Sequence, residues 1–188
     1  MKITLRKANA LQNSIQDHLK TIDTKVQVSL NEFQSPEGVI NVARGELVTN
    51  DLRRGQLTRA LYRIRAQVGR ANVESGVSDL LAEAAYIDKR VGQLKGLAES
   101  EATESSTVLG GKLDKIRNDK SERRMFGYND TINAGVLNSD QIKGYKDDIQ
   151  SLKKQKQGIN DRVLELNIRT EIELDADTVD LLKSEQLV

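Results

Sequence analysis

The chain has 188 residues, of which 37% are apolar, 3% aromatic and 30% charged, with one Pro, no Trp and no Cys. So few aromatics argue against a large compact α/β core, and the absence of Cys excludes disulfides and thiol chemistry. With 29 basic against 28 acidic residues the formal charge is +1, which argues against a dedicated polyanion binder and leaves room for a local basic face. No stretch approaches the roughly 20 apolar residues of a membrane span. The opening MKITLRKANALQ alternates charge with apolar residues and does not read as a signal peptide, so a cytoplasmic location, or a virion if the source is viral, is expected.

Thr4 is a candidate N-cap for a first helix. Leu5, Ala8, Leu11, Ile15, Leu19, Ile22 and Val26 recur at helical spacing along it. The period then changes to two at Val26, Val28 and Leu30, and Ser35-Pro36-Glu37-Gly38 spells a turn. Residues 27–47 therefore read as a loop, with a small β-hairpin as the alternative. A second helix is expected from about Asn50, capped by Asn50 or Thr49, to Asn72, with Leu57, Leu61, Ile64, Val68 and Ala71 as its seam. After a turn at 74–78, Ser78 would cap a third helix carrying Leu80, Ala84, Ile87, Val91, Leu94 and Ala98, which predicts an antiparallel helical hairpin.

Residues 99–107 are small and polar and, with Gly110-Gly111, form the best break in the chain. A charged short helix is expected over Lys112–Arg124, then an irregular segment in which Phe126 and Tyr128 pin the loop to the bundle. Asn138 or Ser139 caps the longest helix, whose Ile142, Tyr145, Ile149, Leu152, Lys156, Ile159, Val163, Leu166 and Thr170 step by three and four to Thr170. Such a helix, roughly 45 Å long at 1.5 Å per residue, needs something lying along it. A last short helix is expected near Asp177–Glu185. The whole reads as an all-α, elongated antiparallel helical bundle or coiled coil. It forms a single domain over residues 1–188, with three helices in residues 1–98, a polar connection over residues 99–138 and a C-terminal segment over residues 139–188.

Catalytic and metal chemistry find little to work with. The single histidine, His18, lacks His or Cys neighbours for a zinc site and reads as a solvated or seam-flanking residue. The stretch around Gly110-Gly111-Lys112 departs from a phosphate loop, with Ser106 where the first Gly belongs and Leu113 after the Lys. Asp175, Asp177 and Asp180 lack the turn glycine and closing glutamate of a calcium loop, and fit as N-terminal helix charges. No catalytic residue, metal or cofactor is expected. Arg59, Arg63 and Arg70, by contrast, fall within about 40° of one another on the second helix, opposite its seam. They form either a solvated face with ion pairs or a surface for an acidic partner or nucleic acid, with nucleic acid disfavoured because only Tyr62 is near for stacking.

Three segments resemble the septicolysin-like family, small helical proteins of largely uncharacterised function. They are the Leu5-Ala8-Leu11-Ile15-Leu19 opening helix, the stretch Leu61–Asn72 ending Val68-Gly69-Arg70-Ala71-Asn72, and Val163–Thr170 with Asn167 and Thr170. The resemblance implies a helical fold and assigns no site residue or cofactor.

The functional expectation is a non-enzymatic structural or interaction protein that self-assembles through its heptad seams. It would be a scaffold, or a component of a viral particle or host-interaction complex, and a homo-oligomer. The interface would be the long-helix seam of Ile142, Tyr145, Ile149, Leu152, Ile159, Val163 and Leu166, with Lys156 as a polar register-setting position. Binding of nucleic acid or an acidic partner through the Arg face is the alternative. An enzyme with a carboxylate site at a subunit interface is the third reading.

Overall fold

A computed structural model describes residues 1–118 and 131–188. The expected roles of Phe126 and Tyr128, and the 119–124 end of the expected short helix, lie outside the described residues. The elements in order are β1 (Lys2–Thr4), α1 (Leu5–Thr21), α2 (Pro36–Glu74), α3 (Val77–Ala98), α4 (Ser106–Asn118), α5 (Ser139–Arg169), β2 (Glu171–Glu173) and α6 (Ala176–Ser184). The fold is all-α with one small two-stranded sheet.

Sequence accounts for most helix ends. The Thr4 hydroxyl accepts from the Lys7 N–H and caps α1. Asn138 and Gln141 form a reciprocal capping box on α5, the Gln141 N–H donating to Asn138 Oδ1 (2.8 Å) and the Asn138 N–H to Gln141 Oε1 (3.0 Å). Asp175 caps α6 through the Thr178 N–H (2.7 Å). Gly76, at φ +78°, takes the left-handed position after α2 that residues with a Cβ disfavour, and α3 starts at Val77 rather than after Ser78.

Three boundaries differ from expectation. There is no strand pairing at 27–47: α2 starts at Pro36, and only the stretch before it is non-helical. Pro36 occupies the first helical turn, where its missing N–H costs nothing, so Ser35-Pro36 begins a helix rather than a turn. The actual sheet joins the chain's two ends, β1 antiparallel to β2 with Ile3 opposite Ile172. Finally α4 begins at Ser106, so Gly110-Gly111 is helical and the break shortens to the residues before it.

The chain packs as two compact units, Met1–Leu81 with Asp161–Val188, and Ala82–Asn160, and the divisions fall inside α3 and α5 rather than at the polar connection. In the first unit α1, the inward face of α2, the sheet and α6 enclose a core that includes Leu5, Ile15, Leu57, Ile64 and Leu182, all fully buried. The ends close over it. The Met1 amino group donates to the Leu174 carbonyl, the Leu174 N–H to the Met1 carbonyl, and the Leu5 N–H to the Thr170 carbonyl, each at 2.9 Å. A two-stranded ribbon is marginal alone; here Ile3 and Ile172 anchor it in the core.

In the second unit Ala84, Ile87, Leu94 and Ala98 of α3 and Ile142 and Ile159 of α5 are buried. Polar contacts run from Gln155 Nε2 on Glu83 (2.8 Å) at one end to the Thr103 N–H on the Leu137 carbonyl (2.8 Å) at the other. These contacts run the two helices antiparallel in this unit. Lys156, a seam position, donates to Asp88 Oδ1 (2.6 Å).

Candidate interaction face on the long helix

The α2 helix carries two heptad stripes. Leu57, Ala60, Leu61, Ile64, Val68 and Ala71 are buried. On the other side Gly45, Val48, Leu52, Gly55, Arg59, Tyr62, Ala66, Gly69 and Val73 also step by three and four, and every one is exposed. At ~100° per residue the stripes lie about 180° apart. Val48 is 54%, Leu52 64%, Tyr62 61% and Val73 68% exposed, so nothing among the described residues covers this second stripe.

Charge along α2 is lopsided. Between Asp51 and Glu74 there are six Arg and no acid. Three of the six are held by the chain's own groups. Arg53 binds Glu185, Arg54 Nη1 donates to the Thr24 hydroxyl (2.7 Å), and Arg63 Nη1 lies 4.0 Å from Asp175. Arg65 lies over the ring of Tyr62, a member of the stripe, 5.0 Å from its centroid, a cation–π contact.

Of the three predicted arginines, Arg59 and Arg63 share a shallow groove with Gln56, Ala60, Asp177, Thr178 and Leu181 of α2 and α6, and Arg70 stands apart, two turns along. One acid, Asp177, lines that groove, and Asp175 lies two residues before it, 4.0 Å from Arg63. The Thr178 N–H, with Arg63 adding to it, holds the Asp175 carboxyl below the ordinary carboxylate range. Asp177 offsets part of the groove's charge, and neither Arg59 nor Arg70 is in an ion pair among the described residues.

The His18 side chain is 25% exposed and has a partner. It belongs to a clasp of three elements, α1, α2 and the end of α6. Arg53 donates through Nε to Glu185 Oε1 (2.6 Å) and through an Nη to Oε2, and His18 Nε2 lies 2.8 Å from Oε2. With Glu185 as the carboxylate acceptor, Nε2 carries the proton and donates. The Glu185 side chain is only 7% exposed, and its pKa is lowered, by Arg53 first and His18 second. The three side chains tie α1, α2 and the end of α6 together, which is a structural duty.

The predicted oligomer seam on α5 is in part buried within the chain. Ile142 and Ile159 are buried, and Tyr145, Ile149, Leu152, Val163 and Leu166 are half-buried. Among the described residues no group of three or more His, Cys, Asp and Glu side chains is arranged to hold a metal, and no helix is long and apolar enough to cross a membrane. No protein-family model matches the chain, and neither does any curated protein or solved structure. The three segments that resemble the septicolysin-like family lie on α1, on α2 and at the end of α5, all in the first unit.

Proposed function

We propose that the chain is a non-enzymatic structural or interaction protein, a scaffold that works by helix-to-helix association. The observation that supports this reading is the outer stripe of α2, an exposed heptad row opposite a buried one on the same helix. Helices that bury one face normally turn a polar face to water; a second apolar row at heptad spacing is the pattern of a helix that receives another. From sequence, self-assembly through α5 is the expected form of such association. The α5 stripe is buried or half-buried within the chain, so the α2 outer stripe is the face open to a partner helix.

The test is gel filtration of the tagged full chain in extract of the cells that make it. The 21.0 kDa chain is expected to elute within a larger complex, and Leu52→Glu combined with Tyr62→Glu is expected to return it to monomer size with helicity unchanged. Elution at monomer size for the unsubstituted chain, or a complex indifferent to both changes, overturns the reading. A second reading, binding of nucleic acid or an acidic partner through Arg59, Arg63 and Arg70, is supported by the acid-free run of arginines between Asp51 and Glu74.

A further inference from the structure

We propose that the outer face of α2 receives an amphipathic helix with acidic flanks from a different protein, a partner class that rests on the interaction reading above and narrows it. Three observations fix the occupant. First, Val48, Leu52, Tyr62 and Val73 stand exposed in a heptad row, which a helix with its own a and d residues would cover. Second, no side chain of this protein neutralises Arg59 or Arg70 among the ion pairs of the described residues; Arg59 stands within the row and Arg70 on its flank. A partner helix with Glu or Asp at its flanking positions matches that charge. Third, the row argues against a second copy. Arg59 sits at its centre, so parallel pairing in register, or antiparallel pairing about that point, sets one arginine run against the other. Like charges so placed are repulsive.

Nucleic acid fits less well. Phosphate contacts want cations along the whole track, whereas Val48, Leu52 and Val73 would be left against a charged backbone and Tyr62 is the row's single aromatic residue. Helix-in-groove burial of the same apolar row is favourable instead.

The experiment is fluorescence anisotropy with the full chain and four probes. They are a synthetic helix of about four heptads with Leu at a and d and Glu at e and g, its scrambled isomer, its Lys-for-Glu counterpart, and duplex DNA. The acidic heptad probe is expected to bind, to weaken as salt rises from about 50 to 300 mM, and to lose at least about tenfold in affinity with Arg59→Glu and Arg70→Glu together, or with Leu52→Glu. Circular dichroism of each variant should match the parent, since all three positions are exposed. Equal binding of the scrambled isomer, tighter binding of DNA, or light scattering showing dimers that Leu52→Glu dissociates would each overturn the acidic-helix partner. If the probe fails while the native complex is still lost with Leu52→Glu and Tyr62→Glu, the partner class falls and the interaction reading stands.

Discussion

The two units use the same seam chemistry and arrive at different kinds of core. In the first, both ends of the chain return to wrap α1 and the inward face of α2, so five large side chains, Leu5, Ile15, Leu57, Ile64 and Leu182, are sealed completely. In the second, Ile87 and Leu94 of α3 are sealed as completely, Ala84, Ala98, Ile142 and Ile159 are buried as well, and α3 and α5 are tied by Lys156–Asp88 and Gln155–Glu83. Exposed ties of that sort contribute about 0–1 kcal/mol each. The first unit thus seals the larger set by bringing the sheet and α6 onto α1 and α2, while the second seals two large side chains without them. The difference can be broken at named residues.

The largest effect is expected at Leu57, which is fully buried in the first unit. Leu57→Ala should cost about 2–5 kcal/mol through lost burial and the cavity left behind. Hydrogen exchange should show the loss in the amides of α1 and α2, with Ile87 and Leu94 amides in the second unit keeping more of their protection. Equal loss in both units would mean that they unfold as one.

Next comes the clasp. Glu185→Gln keeps the shape and removes the charge that Arg53 and His18 address, and charge-assisted bonds of this kind contribute about 1.5–3 kcal/mol. The sign with pH follows from the lowered folded pKa of Glu185. Its stabilisation is present above the unfolded glutamate value, about 4.3, and is lost as pH falls through the lower folded value. Urea titrations of the two proteins should thus differ most at neutral pH and converge in acid. A gap that stays constant down to about pH 2–3, a range below the usual carboxylate values, would show that the charge is not what matters.

Third is a close backbone approach at Gly135 in the second unit. A Cβ added at Gly135 would collide with the Glu101 carbonyl and press on Ala102 and Thr103 backbone atoms, and Thr103 also donates its hydroxyl to the Gly135 carbonyl (2.7 Å). Gly135→Ala should cost about 1–3 kcal/mol, the usual range for forced overpacking. The loss should appear as faster exchange at the Thr103 amide, which donates to Leu137.

Much of this arrangement is legible in the residues themselves. The α1 stripe from Leu5, the Thr4 cap, the Asn138 cap of α5 and the last short helix are local patterns, and local patterns survive into the structure. What is not legible has three physical causes. At 36–47 the apolar residues of α2 are split between Val39, Ala43 and Leu47, half-buried, and Ile40 and Val42, exposed, so no single stripe announces a helix. β1 and β2 are three residues each and pair across nearly the whole chain, beyond any local period. The His18–Glu185 contact spans 167 positions. A stripe, moreover, states that a face is covered without naming the cover. The α5 row is buried or half-buried within the chain. The outer row of α2, spelled out at 45, 48, 52 and 55, is hidden in the sequence because the inner row already accounts for that helix.

The smallest effect tests the device that aims the clasp. Glu185 is the C-cap of α6, and the helix ends in a Schellman arrangement. The Leu187 N–H donates to the Leu182 carbonyl (2.9 Å) and the Gln186 N–H to that of Lys183 (3.0 Å). Gln186 consequently sits at φ +56°, in the left-handed region where a side chain is strained and glycine is not. Relief of that strain opposes the extra backbone entropy that glycine brings to the unfolded chain. At this one position relief should win, because the two hydrogen bonds hold the conformation whatever the residue. Gln186→Gly is therefore expected to raise stability by about 0.4–1 kcal/mol in a thermal melt, with the neutral-pH gap between the parent and Glu185→Gln unchanged in the same background. If Gln186→Gly instead lowers stability, the left-handed turn is not what holds Glu185 in reach of Arg53 and His18, and the clasp would have to be organised from the α1 and α2 side.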